Sequence, residues 1–132
     1  MEKILVINND LDTMNLLKNW LEKKAYSVDY TSNSNDIPVL IKNLHPSLII
    51  VDVMQKDVIQ EIKNNQELSR IPILLMTGYT SKHRRKDVPY DDVIEKPFNL
   101  SILQQKIESL IAQHMVADNN HDSDQSMANY MD

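Results

Sequence analysis

Three stretches of unbroken apolar residues, Ile4-Leu5-Val6-Ile7, Leu48-Ile49-Ile50-Val51 and Ile71 to Met76, set the tightest limit on what this chain can become. An amphipathic helix spaces its apolar residues by three and four, and a half-buried strand alternates them. Short continuous runs belong to strands covered on both faces, as in parallel sheets. Pro72 stands near the start of the third run, a place where a strand tolerates a missing N–H. A shorter run, Val93-Ile94, leads to Lys96-Pro97. Tyr26, Val28 and Tyr30 alternate with Ser27 and Asp29, as in an edge strand with one wet face.

Helical patterns fill the intervals. Leu11, Met14, Leu17 (with Leu16) and Leu21 recur at helical spacing, with Asn9 or Asp10 placed to cap and Asp12 favoured by the helix dipole. Ile37, Val39, Leu40, Ile41 and Leu44 predict a second helix that ends before Pro46. Val58, Ile59, Ile62 and Leu68 predict a third. Leu100, Leu103, Ile107, Leu110 and Ile111 form the clearest stripe, a last helix that starts near Asn99. The segment from Tyr79 to Pro89 is almost without apolar residues, so a fourth helix there is weakly anchored. Strands alternating with helices require crossover connections, hence an α/β fold with a doubly wound parallel sheet and helices on both faces.

Composition narrows the function. With 132 residues the chain is one domain of ordinary size, and it has no cysteine for a disulfide scaffold, thiolate metal site or thiol nucleophile. A single glycine excludes phosphate-binding and dinucleotide-binding loops, which need several at fixed offsets. A net charge of -5 argues against nucleic acid as a partner. No apolar run reaches the ~18–20 residues of a membrane span, and no signal peptide precedes the first strand, so the expected setting is the cytoplasm. Asp118, Asp122, Asp124 and Asp132 lie in a final stretch without Lys or Arg; removing them leaves -1 for residues 1–116. The expected division is a folded domain over 1–116 and a disordered acidic tail over 117–132. His45, His83, His114 and His121 are too scattered to form a metal set.

In a doubly wound sheet the functional crevice lies outside the carboxyl ends of the strands. The residues there are Asn8-Asn9-Asp10, Asp52, Thr77-Gly78 and Lys96-Pro97. A carboxylate, a hydroxyl and an ammonium converging at one rim form an anion-handling set, able to offer a nucleophile to phosphorus, a donor to a phosphoryl oxygen and a counter-charge.

At these residues the chain resembles a receiver domain of a bacterial two-component response regulator, from about Lys3 to Ile111. The resemblance rests on Lys3 to Ile7, Pro46 to Asp52, Ile71 to Gly78 and Asp91 to Phe98, in that order. It implies a flavodoxin-like sheet of five strands in the order 2-1-3-4-5. It also implies that Asp52 accepts a phosphoryl group, that Thr77 binds a phosphoryl oxygen, and that Lys96 pairs with the acceptor, followed by Pro97 in a cis peptide. A Mg²⁺ ion would be held by Asp52, the backbone carbonyl of Met54 and an acidic pair. The partners implied are a sensor histidine kinase or a phosphotransfer protein, with no membrane and no enzymatic activity beyond phosphorylation and dephosphorylation of Asp52 itself.

The chain departs from the family pattern in four places. Asn8 and Asn9 stand where the acidic pair belongs, and Asp10, which could swing in, is better placed as a helix cap; Mg²⁺ is therefore expected to be weakly held. The loop after Asp52 is about five residues short and lacks its Pro and Gly. Val93 replaces the aromatic residue whose rotamer reports phosphorylation. The stretch Tyr79 to Lys86 is polar and short. The leading expectation is a stand-alone receiver that signals by protein–protein contacts; the alternative is a pseudo-receiver, an interaction module that works without phosphorylation. A phosphoaspartate hydrolase would need a general acid two residues past Asp52, and Met54 is there.

Overall fold

The computed structural model of the protein describes residues 2–32, 36–52, 56–78 and 89–114. Strand β1 (Lys3–Ile7) leads into helix α1 (Leu11–Lys23), then β2 (Ser27–Thr31), α2 (Ile37–Leu44), β3 (Leu48–Asp52), α3 (Lys56–Asn64), β4 (Ile73–Thr77), β5 (Asp92–Glu95) and α4, residues 100–114. The strands form one parallel sheet in the order β2-β1-β3-β4-β5. The weak helix expected between Tyr79 and Pro89, the loop carrying Met54 and the acidic tail fall on or mostly on residues outside those described.

Each unbroken apolar run is divided between two cores by the alternation of the strand. Ile4, Val6, Leu48, Ile50, Leu74, Met76 and Ile94 pack against Met14, Leu17 and Leu21 of α1 and Leu103, Ile107, Leu110 and Ile111 of α4. Leu5, Ile7, Ile49, Val51, Ile73 and Leu75 face the other way, onto Ile37 and Ile41 of α2 and Ile59 and Ile62 of α3. Both faces of the central strands are therefore dry, which is why the runs do not alternate. The edge strand β2 has no fully buried residue, but its burial does not follow the alternation of its sequence: Ser27, Val28 and Asp29 are all half-buried and Tyr30 is 43% exposed.

Several residues counted into the helical stripes do not face the core. Leu11, Leu16 and Val39 are 64%, 51% and 55% exposed. A stripe wider than the contact it makes leaves its flanks in water. Leu68 is buried as expected, but not in a helix: α3 ends at Asn64, and the Asn65 side chain accepts hydrogen bonds from the N–H groups of Glu67 (2.9 Å) and Leu68 (3.3 Å), turning the chain. Strand β4 begins at Ile73, two residues into its apolar run, and includes Thr77.

A chain with so little glycine must end its helices on other residues. After α1, Ala25 adopts φ 69°, its N–H bonding the Glu22 carbonyl at 3.1 Å and that of Tyr26 the Leu21 carbonyl at 3.2 Å, a Schellman arrangement. After α2, His45 turns at φ 52° with its N–H on the Ile41 carbonyl, and Pro46 bars continuation. At the amino edge of the sheet, the Asp91 carboxylate accepts from the Ile73 N–H at 2.7 Å and from Lys63 Nζ at 2.9 Å. That contact ties α3 and the entries of β4 and β5 together.

Candidate functional site

The order β2-β1-β3 reverses direction between β1 and β3, and the crevice of such a sheet opens at that switch point, beyond the strand ends. Ile7 of β1 lies opposite Val51 of β3, so the next step along the register sets Asn8 beside Asp52. On the other side of β1 the ladder to β2 reaches Asn8, whose N–H bonds the Thr31 carbonyl at 3.0 Å. Strand alternation carries Asn8, Asp52 and Lys96 onto the same side as Val6, Ile50 and Ile94, the α1–α4 side.

Lys96 reaches across β4 to Asp52, with Nζ 3.3 Å from Oδ2. The side chains are 28% and 15% exposed, so the pair is shielded well beyond a surface ion pair. Thr77 stands one residue past Met76, the β4 partner of Asp52. It is fully buried, its carbonyl accepts the Lys96 N–H at 2.7 Å, and its hydroxyl has no hydrogen-bond partner. The Lys96–Pro97 peptide is cis, as the resemblance implied. Three of the residues singled out from the sequence, Asp52, Thr77 and Lys96, are thus gathered at one rim by three different strand ends.

Asn8, at one of the two positions where the resemblance implies an acid, and Asp10, which follows them, are both engaged in local hydrogen bonds. Asn8 is 2% exposed; its Oδ1 accepts the Asp10 N–H at 2.8 Å, and its Nδ2 has no partner. Asp10 caps α1, accepting from the Asp12 N–H at 3.1 Å and the Thr13 hydroxyl at 2.6 Å. The hydrogen bond from the Thr13 side chain, helped by backbone N–H groups and the Lys96 charge, holds the Asp10 carboxyl below its ordinary 3.8. A depressed folded value means that the cap contributes fully above the unfolded value and is lost as pH falls through the folded one. Asp10→Asn keeps a capping side chain but does not titrate. Urea unfolding at stepped pH should show the wild-type midpoint falling relative to this variant below about pH 5, with a constant difference above it.

Receiver domains generally bind Mg²⁺ at the phosphorylation site. Mg²⁺ takes six oxygens in near-octahedral geometry, with carboxylates among them. Here Asn8 spends its acceptor on a backbone N–H, Asn9 is an exposed neutral amide, and both Asp10 oxygens serve the cap. Met54 lies outside the described residues. Asp52 is the carboxylate that remains, and it is ion-paired with Lys96. Among the described residues no group of three or more acidic or histidine side chains could hold a metal ion. Among the described residues the donor set does not fit a Mg²⁺ ion.

Sequence reasoning named Asn8 for what it lacks, a charge. It missed that the residue is buried with its amide NH₂ unpartnered. Its place directly after an unbroken apolar run was the available signal. Among the described residues no helix is long and apolar enough to cross a membrane.

The response regulator receiver domain family matches residues 4–108. The regulatory protein VanRB of Enterococcus faecalis is 28% identical over 119 residues, covering 83% of this chain and 52% of that protein. The chain spans about half the length of the curated relatives it matches. Among solved structures, a response regulator receiver modulated diguanylate cyclase from Pelobacter carbinolicus is 26% identical with a TM-score of 0.78, covering 90% of this chain and 99% of that one. A two-component response regulator from Clostridium difficile is 27% identical with a TM-score of 0.72, covering 85% and 97%.

Proposed function

This chain belongs to the response regulator receiver domain family, and from that premise we propose that it takes a phosphoryl group onto Asp52 from a histidine kinase or phosphotransfer protein and signals through the protein contacts that follow. The observation that carries this reading is the Lys96–Asp52 pair, 3.3 Å apart across the switch point of the sheet. A carboxylate oxygen of Asp52 attacks phosphorus as the P–N bond of a phosphohistidine breaks. The imidazole nitrogen leaves with the electron pair and is reprotonated, and an acyl phosphate forms. Lys96 offsets charge on the transferring group, and the buried Thr77 hydroxyl is a donor awaiting an acceptor oxygen. Such a partner implies a cytoplasmic setting.

The experiment is an intact-mass measurement after exposure to phosphoramidate or a phosphohistidine protein, with the modified residue mapped by peptide mass. One phosphoryl group on Asp52 is the expected result; none with any donor overturns the reading. A second reading, an interaction module that works without phosphorylation, draws on the neutral Asn8 and Asn9 and on Val93.

A further inference from the structure

We propose that the rim around Asp52 holds a tetrahedral oxyanion directly, through Asn8 Nδ2, Thr77 Oγ1 and Lys96 Nζ, and needs no divalent cation to do so. The proposal deepens the phosphoacceptor reading and rests on it for the identity of the anion, a phosphoryl group.

Two buried polar atoms among the described residues lack a hydrogen-bond partner, Asn8 Nδ2 and Thr77 Oγ1, and both stand at the carboxyl ends of strands neighbouring or next to Asp52. Their residues are 2% and 0% exposed. An unsatisfied buried polar group is costly, so native proteins carry few, and two at one rim mark a place where a ligand completes the bonding.

The chemistry of these atoms selects the sign of the ligand. The orientation of the Asn8 amide is settled by its neighbour: the Asp10 N–H can donate only to the oxygen, which leaves the NH₂ group as the free end. An amide NH₂ is a donor and cannot accept. It can neither ligate a cation nor accept from a water bound to one, as an aspartate there could. It can donate to an oxyanion. Lys96 adds a positive charge and the N–H donors left beside its bond to Asp52, and Thr77 adds a hydroxyl. With Asn8 and Asn9 in place of an acidic pair, the rim of Asp52, Lys96 and Asp10 is less negative by two charges, so an incoming phosphate meets less repulsion. The replacements that abolish the cation site thus supply an anion site.

Inorganic phosphate in EDTA is the probe, followed by the side-chain amide resonances of Asn8 and the backbone amide of Thr77. Saturable shifts at both, unchanged by adding Mg²⁺, are expected. Asn8→Asp removes the donor and should weaken binding in EDTA by roughly tenfold or more, with Mg²⁺ now restoring it. A variant that gains metal dependence must be folded. Binding that requires Mg²⁺ in the wild-type protein, shifts confined to other residues, or an Asn8→Asp variant that binds in EDTA as well as wild type each overturns the proposal. Phosphoramidate labelling of the same samples separates the two readings. Phosphate binding in EDTA with no labelling upholds this site and removes Asp52 as phosphoacceptor, whereas labelling only with Mg²⁺ does the reverse.

Discussion

Replacing Ile50 by alanine is expected to cost about 2–5 kcal/mol of folding stability, because it opens a cavity where no neighbour can close in. Ile50 lies in β3, the middle strand of the sheet, fully buried between Val6 and Leu74 in the ladders and under the helices of the α1–α4 side. A domain of this size is stable by about 5–15 kcal/mol, so the variant loses a large share of the total. With an ordinary urea dependence the midpoint falls by roughly 1–2 M. Leu16→Ala is the comparison. Leu16 belongs to an apolar stripe in the sequence yet is 51% exposed, and its loss should shift stability by no more than about 0.5 kcal/mol. Equal shifts for the two variants would contradict the division of the sheet into two covered faces.

The second large effect is at the rim. Asp52→Asn should abolish incorporation of a phosphoryl group altogether, since a neutral amide offers no carboxylate oxygen to phosphorus. Lys96→Ala leaves the acceptor in place but removes the ammonium 3.3 Å away, and labelling by phosphoramidate should slow by roughly a hundredfold, the usual scale for losing one such group. Time courses of intact mass report both. Labelling that survives Asp52→Asn assigns the acceptor elsewhere. Wild-type protein that takes no phosphoryl group from any donor leaves the interaction-module reading in its place.

Much of this was legible in the residue order. Continuous runs such as Leu48 to Val51 cannot sit on a half-wet sheet, and their ends named Asp52, Thr77 and Lys96 before any geometry was known. Leu68 shows where an apolar stripe misleads: it groups with Val58, Ile59 and Ile62 in the sequence but is buried beyond the helix, because Asn65 captures two backbone N–H groups and turns the chain. The structural role of Asp91 was not legible in the residue order. Its role as acceptor for the Ile73 N–H depends on a contact between residues 18 apart in sequence.

The sequence by itself determined the fold class and the rim, because strand burial on two faces and the position of strand ends are written in local patterns of apolar and polar residues. It also determined the loss of charge at positions 8 and 9. Only the tertiary structure decided what that loss created. Whether Asn8 offers its oxygen or its NH₂ depends on the Asp10 N–H turning back to it. Whether Thr77 and Asn8 are left as unpartnered donors depends on strands far apart in the chain closing over them. Hydrogen bonding at a buried rim is set by which groups meet in space, and residue order specifies that only through the finished fold.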